Sequence, residues 1–188
     1  MKILAFGHQK DVGKDTAARF AITHVRANSR ARDVQKHGFA DKLKDVCYQI
    51  YAWAGMMPGP WYEESPERRK LKEVVLPKLG KSPRQIWIAF GNEVKSAAYR
   101  HTWLDYLLQT VRCDFLVISD MRFPDEADRI RESGGRVVKI LRPSVPHSSD
   151  AADDPLLGYD RWDDVITNDG DLRSLNQKVT GFVDTMFN

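Results

Sequence analysis

The sequence predicts an α/β layer protein built around a mainly parallel sheet, and three observations carry that prediction. Short apolar runs alternate with segments of helical periodicity along the chain, the pattern of strand–helix–strand units. One run, Phe115-Leu116-Val117-Ile118-Ser119, is almost continuously apolar, as expected of a central strand covered on both faces. A glycine-containing loop from Gly7 to Gly13 joins the first strand to the first helix. At 188 residues the chain reads as one domain, long enough to bury a core without disulfides or metals.

The elements follow in order. The apolar run Ile3-Leu4-Ala5-Phe6 makes residues 2–6 the first strand, and the loop after it opens a helix over 13–26. Residues 34–39 read as the second strand and 41–53 as the second helix. The stretch from Gly55 to Trp61 holds Gly55, Pro58, Gly59 and Pro60, which argues against regular structure. The charged run 63–72 after it reads as a solvated helix face, and the two together as an insertion covering a substrate. Ser82-Pro83 is an N-cap followed by proline at the first helical position, opening a helix over 82–99. Helix 103–111 precedes the central strand at 115–119. Helix 124–133 is closed by Gly134-Gly135, and strand 136–141 follows. The irregular stretch 142–160, with three prolines and many aspartates, lies where a mobile lid would fit. Strand 164–167 and helix 172–186 complete the chain.

Bulk composition excludes several classes. Hydrophobic residues at 42% and charged residues at 29% are globular values. Two cysteines, Cys47 and Cys113, imply no disulfide framework and fit a reducing compartment. The first apolar run is too short for a signal peptide, and no segment approaches a membrane span, so the expected location is the cytoplasm (a host cytoplasm if the chain is phage-encoded). The net charge of +3 is mild and does not call for nucleic acid or a membrane as partner.

The strongest chemical signal is Phe6-Gly7-His8-Gln9-Lys10-Asp11-Val12-Gly13-Lys14-Asp15-Thr16. Between a strand and a helix, glycines let the backbone curl so that successive N–H groups and the helix N-terminus face an anion. Lys14 then reaches the β- and γ-phosphates of a nucleotide, as in the Walker A loop of P-loop proteins. Thr16, or Asp15 ahead of it, would hold Mg2+ directly or through water. Two departures stand out. Five residues separate Gly7 from Gly13, one more than in the usual pattern, with His8 able to take the first glycine's place. Asp15 stands where serine or threonine is usual. Lys10 adds charge within the loop, or is simply solvated.

A second cluster, Ser119-Asp120-Met121-Arg122-Phe123-Pro124-Asp125-Glu126, sits at the carboxyl end of the central strand, the edge where open α/β sheets bind ligands. Asp120 is placed to support Mg2+, and Arg122 to clamp an acceptor phosphate. The structural alternative has Asp120 capping the next helix and Arg122 paired with Glu126.

With further segments spread along the chain, these pieces resemble the deoxynucleoside monophosphate kinases of bacteriophages, themselves similar to dephospho-coenzyme A kinase. The resemblance rests on Gly13-Lys14-Asp15-Thr16, Phe39-Ala40-Asp41-Lys42-Leu43-Lys44, Pro83-Arg84-Gln85, Gly91-Asn92-Glu93, Trp103 and Ser119 to Glu126. It continues through Gly134-Gly135, Arg142-Pro143, His147-Ser148-Ser149-Asp150 and Asp164 to Gly170. Asp150 stands where the family usually has glutamate, and Lys95 and Arg100 flank a place where it often has arginine.

The resemblance implies a P-loop three-layer α/β/α fold: a five-stranded parallel sheet of order 2-3-1-4-5 with a helical substrate-binding insertion and a lid. It implies one kinase domain with its core over 1–40 and 112–188, a substrate-binding region over 41–111 and a lid over 142–160. ATP and Mg2+ are the implied cofactors and a nucleoside monophosphate the implied partner, with a homodimer left open. Gly7, Lys10, Val12, Gly13, Lys14, Asp15 and Thr16 would hold the nucleotide phosphates, with Asn168 and Gly170 beside the adenine. Asp15, Thr16 and Asp120 would serve the metal. Phe39, Asp41, Lys44, Arg84, Glu93 and Arg122 would face the acceptor, and Arg142 would close over the ATP. Asp15, Asp41 or Asp120 would orient the attacking oxygen. Other readings are a kinase acting on a base within DNA or on another small phosphate acceptor, and a nucleotide-binding module without turnover. Of the aromatics, Trp87 and Phe90 fall at core spacing, while Trp61 and Tyr62 are candidates for stacking on a base.

Overall fold

Ile3, Leu4, Ala5 and Phe6 are buried with at most 3% of their surface exposed, so the first strand is covered on both faces and its side chains must find apolar partners on each. The computed structural model describes residues 1–146 and 155–188, and among these β1 packs against neighbouring strands, helices and loop residues such as Val12. The chain runs β1 (Lys2–Gly7), α1 (Lys14–Ala27), β2 (Val34–His37), α2 (Ala40–Tyr51), α3 (Pro66–Leu71), α4 (Pro83–Ala97), α5 (Thr102–Thr110), β3 (Phe115–Met121), α6 (Pro124–Glu132), β4 (Arg136–Leu141), β5 (Asp164–Thr167) and α7 (Leu172–Thr185). It divides into two compact units, Met1–Gly38 with Val111–Asn188, and Phe39–Thr110.

The first unit holds one five-stranded sheet, ordered β2-β3-β1-β4-β5 with every pair parallel. This is the order the family resemblance implies. Side chains alternate across a strand, so Leu4 and Phe6 face α1 and α7, where they pack with Ala17, Ala21, Val25, Leu175, Val179 and Val183. Ile3 faces the opposite side, where α6 packs against β1 and β4. Helices therefore cover both faces of the sheet, which makes three layers. Phe115 to Ile118 of β3 are fully buried, as the apolar run requires.

The register between β1 and β3 slips once. Ala5 stands opposite Ile118 and Gly7 opposite Met121, so Ser119 and Asp120 together face the single residue Phe6. An extra residue in one strand bends it and re-aims its side chains. Here the bulge lies at the carboxyl edge of the sheet. β2 ends at His37, two residues before the expected boundary, because Phe39 already has helical dihedrals as the N-cap of α2.

α6 begins with a cap supplied from within. The buried carboxylate of Glu126 accepts hydrogen bonds from the backbone N–H groups of Arg122 (2.9 Å) and Phe123 (3.2 Å), satisfying amides that the helix cannot. Glu126 therefore meets the backbone of Arg122 where sequence spacing suggested its guanidinium, and Phe123 holds the N-cap position considered for Asp120. At the other end of α6, a Cβ on Gly135 would lie 2.6 Å from Ile130 Cγ2 and 3.0 Å from the Ile130 carbonyl oxygen.

The second unit is helical. Its core is Leu43, Cys47, Met56, Tyr62, Ile86 and Trp87, and burial pushes the Cys47 thiol up to about 11, which makes it a packing residue and no nucleophile. Ser82 and Gln85 form a capping box with Pro83 at the first helical position, as expected. The stretch expected to be irregular contains a 3-10 turn, Gly59–Glu63. Pro60 is tolerated because the first turn of a helix leaves its N–H groups unpaired in any case. Within that turn Tyr62 is 2% exposed, its hydroxyl accepts from the Met57 N–H at 3.1 Å, and its ring meets Trp87 edge-on. Tyr62 is thus core, not a surface for a base. Trp61 packs against Tyr62 and carries the Arg68 guanidinium 4.7 Å over its ring.

Gly135→Ala is expected to destabilise the protein by about 1–3 kcal/mol, because its added carbon meets backbone that cannot move aside. Urea denaturation checks this, and an unchanged midpoint would contradict the packing described.

Candidate active site

The loop between β1 and α1 is built from residues in conformations that L-amino acids rarely adopt. His8, Asp11 and Gly13 have φ of 103°, 62° and 104°. His8 thus takes the conformation glycine favours, one position after Gly7, which is how the loop absorbs its additional residue. Non-glycine residues held at positive φ cost on the order of 1–3 kcal/mol each and persist where the surroundings impose them. His8 is 3% exposed and Val12 is fully buried, so the loop is pinned at both ends.

Lys14 opens α1, and its ammonium donates to the carbonyl oxygens of His8 (2.9 Å) and Gln9. The lysine therefore arches back over its own loop. The N–H groups of the first turn of α1 have no helical acceptors, and the first bond within that turn runs from Ala17 to the Gly13 carbonyl. Lysine, helix N-terminus and curled backbone lie together in one short stretch of chain, and that set of donors fits a phosphate chain.

Asp15 follows. Its Oδ1 accepts from Lys36 Nζ on β2 (2.6 Å) and from Ser119 Oγ on the β3 bulge (2.8 Å), while the rest of its side chain remains largely exposed. Loss of water around the carboxyl opposes ionisation, but the hydrogen bonds from Lys36 and Ser119 and the charges of Lys36 and Lys14 outweigh it, so the Asp15 pKa lies below the ordinary aspartate value. Thr16 is the next residue on the helix. Carboxylate and hydroxyl oxygens are the hard donors that Mg2+ prefers, so Asp15 Oδ2 and Thr16 suit that ion. Among the described residues no group of three or more His, Cys, Asp or Glu converges on one point.

Asp120 stands beside Asp15's partner Ser119. Its carboxylate lies against Gly38 at the end of β2, 2.6 Å from where a Cβ would sit. Arg122 and Arg142 both lie exposed at carboxyl ends of strands, Arg122 just after β3 and Arg142 just after β4. Neither guanidinium forms a hydrogen bond or ion pair among the described residues. Lys10 is exposed beside Asp11, 3.9 Å away. Asn168, after β5, donates its side-chain amide to the Val12 carbonyl (2.9 Å), and Gly170 precedes Asp171, the N-cap of α7.

The segment expected to be a lid falls partly outside the described residues, at 147–154, together with His147-Ser148-Ser149-Asp150. On its near side, Gln9 Nε2 donates to the carbonyls of Val145 and Pro146. On its far side, Leu156 is 1% exposed and the Tyr159 hydroxyl donates to Asp128 on α6 (2.9 Å). Residues 155–160 are therefore tied to the sheet unit.

Five of the expected acceptor residues lie in the helical unit. Phe39 and Asp41 start α2, and Lys44 lies one turn on, its ammonium 5.5 Å from the centre of the Trp87 ring. Arg84 is already ion-paired with Glu73, so an anion there would compete with that carboxylate. Glu93 is exposed on α4.

Lys36, Ser119 and Gln9 were not singled out from the sequence as site residues. Lys36 is a cation inside a short strand, and nothing in its spacing links it to Asp15. Only strand order brings the two together.

A parallel sheet ordered 2-3-1-4-5 with this loop between its central strand and α1 defines a P-loop-type α/β fold. Among known proteins, the chain is 28% identical over 190 residues to the "Putative deoxynucleotide monophosphate kinase" of Acanthamoeba polyphaga mimivirus, covering 93% of this chain and 92% of that protein. It is also similar, at 12% identity and a TM-score of 0.42, to a solved structure of a "putative kinase" from Chloroflexus aurantiacus J-10-fl, covering 98% of this chain and 96% of the other. No family model matches the chain. No helix among the described residues is long and apolar enough to cross a membrane.

The depressed Asp15 pKa has a definite sign. A carboxyl ionised more readily in the folded than in the unfolded chain adds stability above the unfolded value, and that stability is lost as the pH falls through the folded value. Asp15→Asn is therefore expected to lower the unfolding midpoint at neutral pH. The deficit should persist down to the ordinary range near 3.8 and vanish below it. Denaturation curves of both proteins across pH test this, and a deficit of equal size in acid would contradict it.

Proposed function

We propose that the protein is an ATP-dependent deoxynucleoside monophosphate kinase, converting a monophosphate and ATP to the diphosphate and ADP in the manner of the enzymes that make DNA precursors for bacteriophages. The observation that carries this reading is the loop from Gly7 to Thr16, where Lys14, the curled backbone and the start of α1 converge. The viral relative, similar over nearly the whole of both chains, supports the choice of acceptor class.

Phosphoryl transfer asks for in-line placement and for stabilisation of charge on the transferring group more than for covalent chemistry. In this reading the backbone of Gly7, Lys10, Val12 and Gly13 cradles the ATP phosphates. Lys14 exchanges its hold on the His8 and Gln9 carbonyls for phosphate oxygens, which cost it no new charge separation because the ammonium is already in place. Asp15 Oδ2, Thr16 and Asp120 would hold Mg2+, which would supply positive charge against the phosphates. Ser119 and Lys36 keep Asp15 oriented by holding its other oxygen.

Arg122 supplies a cation toward the acceptor phosphate, and Arg142 one toward the transferring group. In the helical unit Phe39, Asp41, Lys44, Arg84 and Glu93 contact the acceptor, with Arg84 leaving Glu73 for the phosphate. A monophosphate is largely ionised at neutral pH, with a second pKa of about 6 for comparable monoesters. No strong general base is therefore needed, and Asp15, Asp41 or Asp120 suffices to orient the attacking oxygen.

An ADP-release assay with ATP and Mg2+ against a panel of deoxy- and ribonucleoside monophosphates, modified pyrimidines included, tests the proposal. Turnover is expected with one or a few deoxynucleotides, falling by about 10²-fold or more in Lys14→Ala, the scale of removing one charged group from a developing-charge site. No turnover across the panel, with ATP binding intact, would sink the acceptor assignment. Steeply salt-dependent binding of single-stranded DNA would then point to a polynucleotide acceptor, and its absence to a nucleotide-binding module.

A further inference from the structure

Asn168 grips the phosphate loop from outside. Its Nδ2 donates to the Val12 carbonyl oxygen at 2.9 Å, and it sits so close that a Cβ on Gly13 would lie 2.8 Å from that nitrogen. Gly13 has φ of 104°, so two independent reasons, the backbone conformation and the approach of Asn168, require glycine there.

The consequence follows from the geometry of one peptide. The Val12 carbonyl and the Gly13 N–H belong to the same planar unit, which is trans, so they point in opposite directions. Holding the carbonyl toward Asn168 turns the Gly13 N–H away from Asn168. That N–H makes no hydrogen bond among the described residues, and it is the last amide of the loop before Lys14. Without the grip this peptide is free to rotate, presenting a carbonyl oxygen where a phosphate needs a donor.

Asn168 is itself fixed. Its backbone N–H donates to the Leu141 carbonyl at 2.6 Å. Lys178 on α7 donates to the Thr167 carbonyl (2.8 Å) and to Asp169 Oδ1 (2.7 Å), so both neighbours of Asn168 are held by one lysine. The grip therefore comes from the end of β5 and from α7, on the sheet's far edge from β2 and β3.

We propose that Asn168 is a positioning residue for the phosphate loop: by holding the Val12 carbonyl it presents the Gly13 N–H to the phosphates of the bound nucleotide. This deepens the kinase reading and rests on its assignment of the loop to phosphates. It differs from a contact with the adenine ring, because a loop clamp acts on any ligand that carries the phosphate chain.

The test compares ADP with inorganic tripolyphosphate, which has the phosphates and no base, in titration calorimetry on the wild type, Asn168→Ala and Asn168→Asp. Removing one neutral donor is expected to weaken both ligands by the same factor, about three- to tenfold. Asn168→Asp should act at least as strongly, since a carboxylate repels the Val12 carbonyl. In the ligand-free protein, nitrogen relaxation should show added motion at the Gly13 amide in both variants while amides of β1 and β3 stay protected from hydrogen exchange. A loss confined to ADP would overturn the clamp in favour of a base contact, and unchanged binding of both ligands would overturn it outright. If wild type binds neither ligand, the phosphate assignment falls instead, and unchanged motion at the Gly13 amide in the variants would then refute the clamp on its own. A variant that unfolds is recognised by loss of protection in β1 and β3, and the nearly isosteric Asp variant then decides.

Discussion

Between Gly7 and Lys14 the backbone must leave a strand buried on both faces and enter a helix whose first amides have no partners inside it. That constraint organises the sheet unit. The turn is too tight for ordinary dihedrals, so His8, Asp11 and Gly13 take positive φ. The strain is tolerated because Val12 is buried among α1 and α7 side chains and because Lys14 and Asn168 hold loop carbonyls from inside and outside. What results is a curled loop held in one shape, with unpaired amides at the start of α1 and Lys14 arched back over it. Preorganised donors of this kind are what a transferring phosphoryl group requires.

A second arrangement lies at the carboxyl end of β3. Phe115 and Val117 pack on the α1 face, so ordinary alternation along β3 already turns Ser119 toward that layer. There Ser119 bonds Asp15, while Asp120 stands at the end of β2 beside Gly38. Lys36 completes the set from β2. An aspartate in the place usual for serine or threonine thus arrives with its own counter-charge and its own hydrogen-bond donor. One oxygen of Asp15 is held and the other is presented.

The helical unit follows different rules. Its helices are specified by caps (Ser65, and Ser82 with Gln85) and held by an aromatic centre of Tyr62 and Trp87. Two of its cations are engaged with internal partners, Arg84 with Glu73 and Lys42 with Asp45. Under the proposed function an acceptor phosphate would displace Glu73 from Arg84, which would lower the net gain from binding and make selectivity depend on what else the acceptor touches.

Much was legible from the sequence alone, because much of it is local. Apolar runs and helical periodicity placed every strand and long helix to within a few residues, and the Gly7–Thr16 pattern marked the loop, since strand, turn and cap chemistry act over neighbouring residues. The order of the strands came from resemblance and agrees with the sheet. What only the tertiary structure decided lies in contacts between residues far apart in sequence. Pairing β2 with β3 brings Lys36 to Asp15. The packing of α1 on β3 brings Ser119 to the same carboxylate. The return of β5 beside β4 sets Asn168 on Val12, 156 residues away. Tyr62 is core because a 3-10 turn forms around Pro60 and folds the ring onto Trp87. Local chemistry is written in spacing, but a hydrogen bond between two strand ends depends on register, and register is set by the packing of the whole sheet.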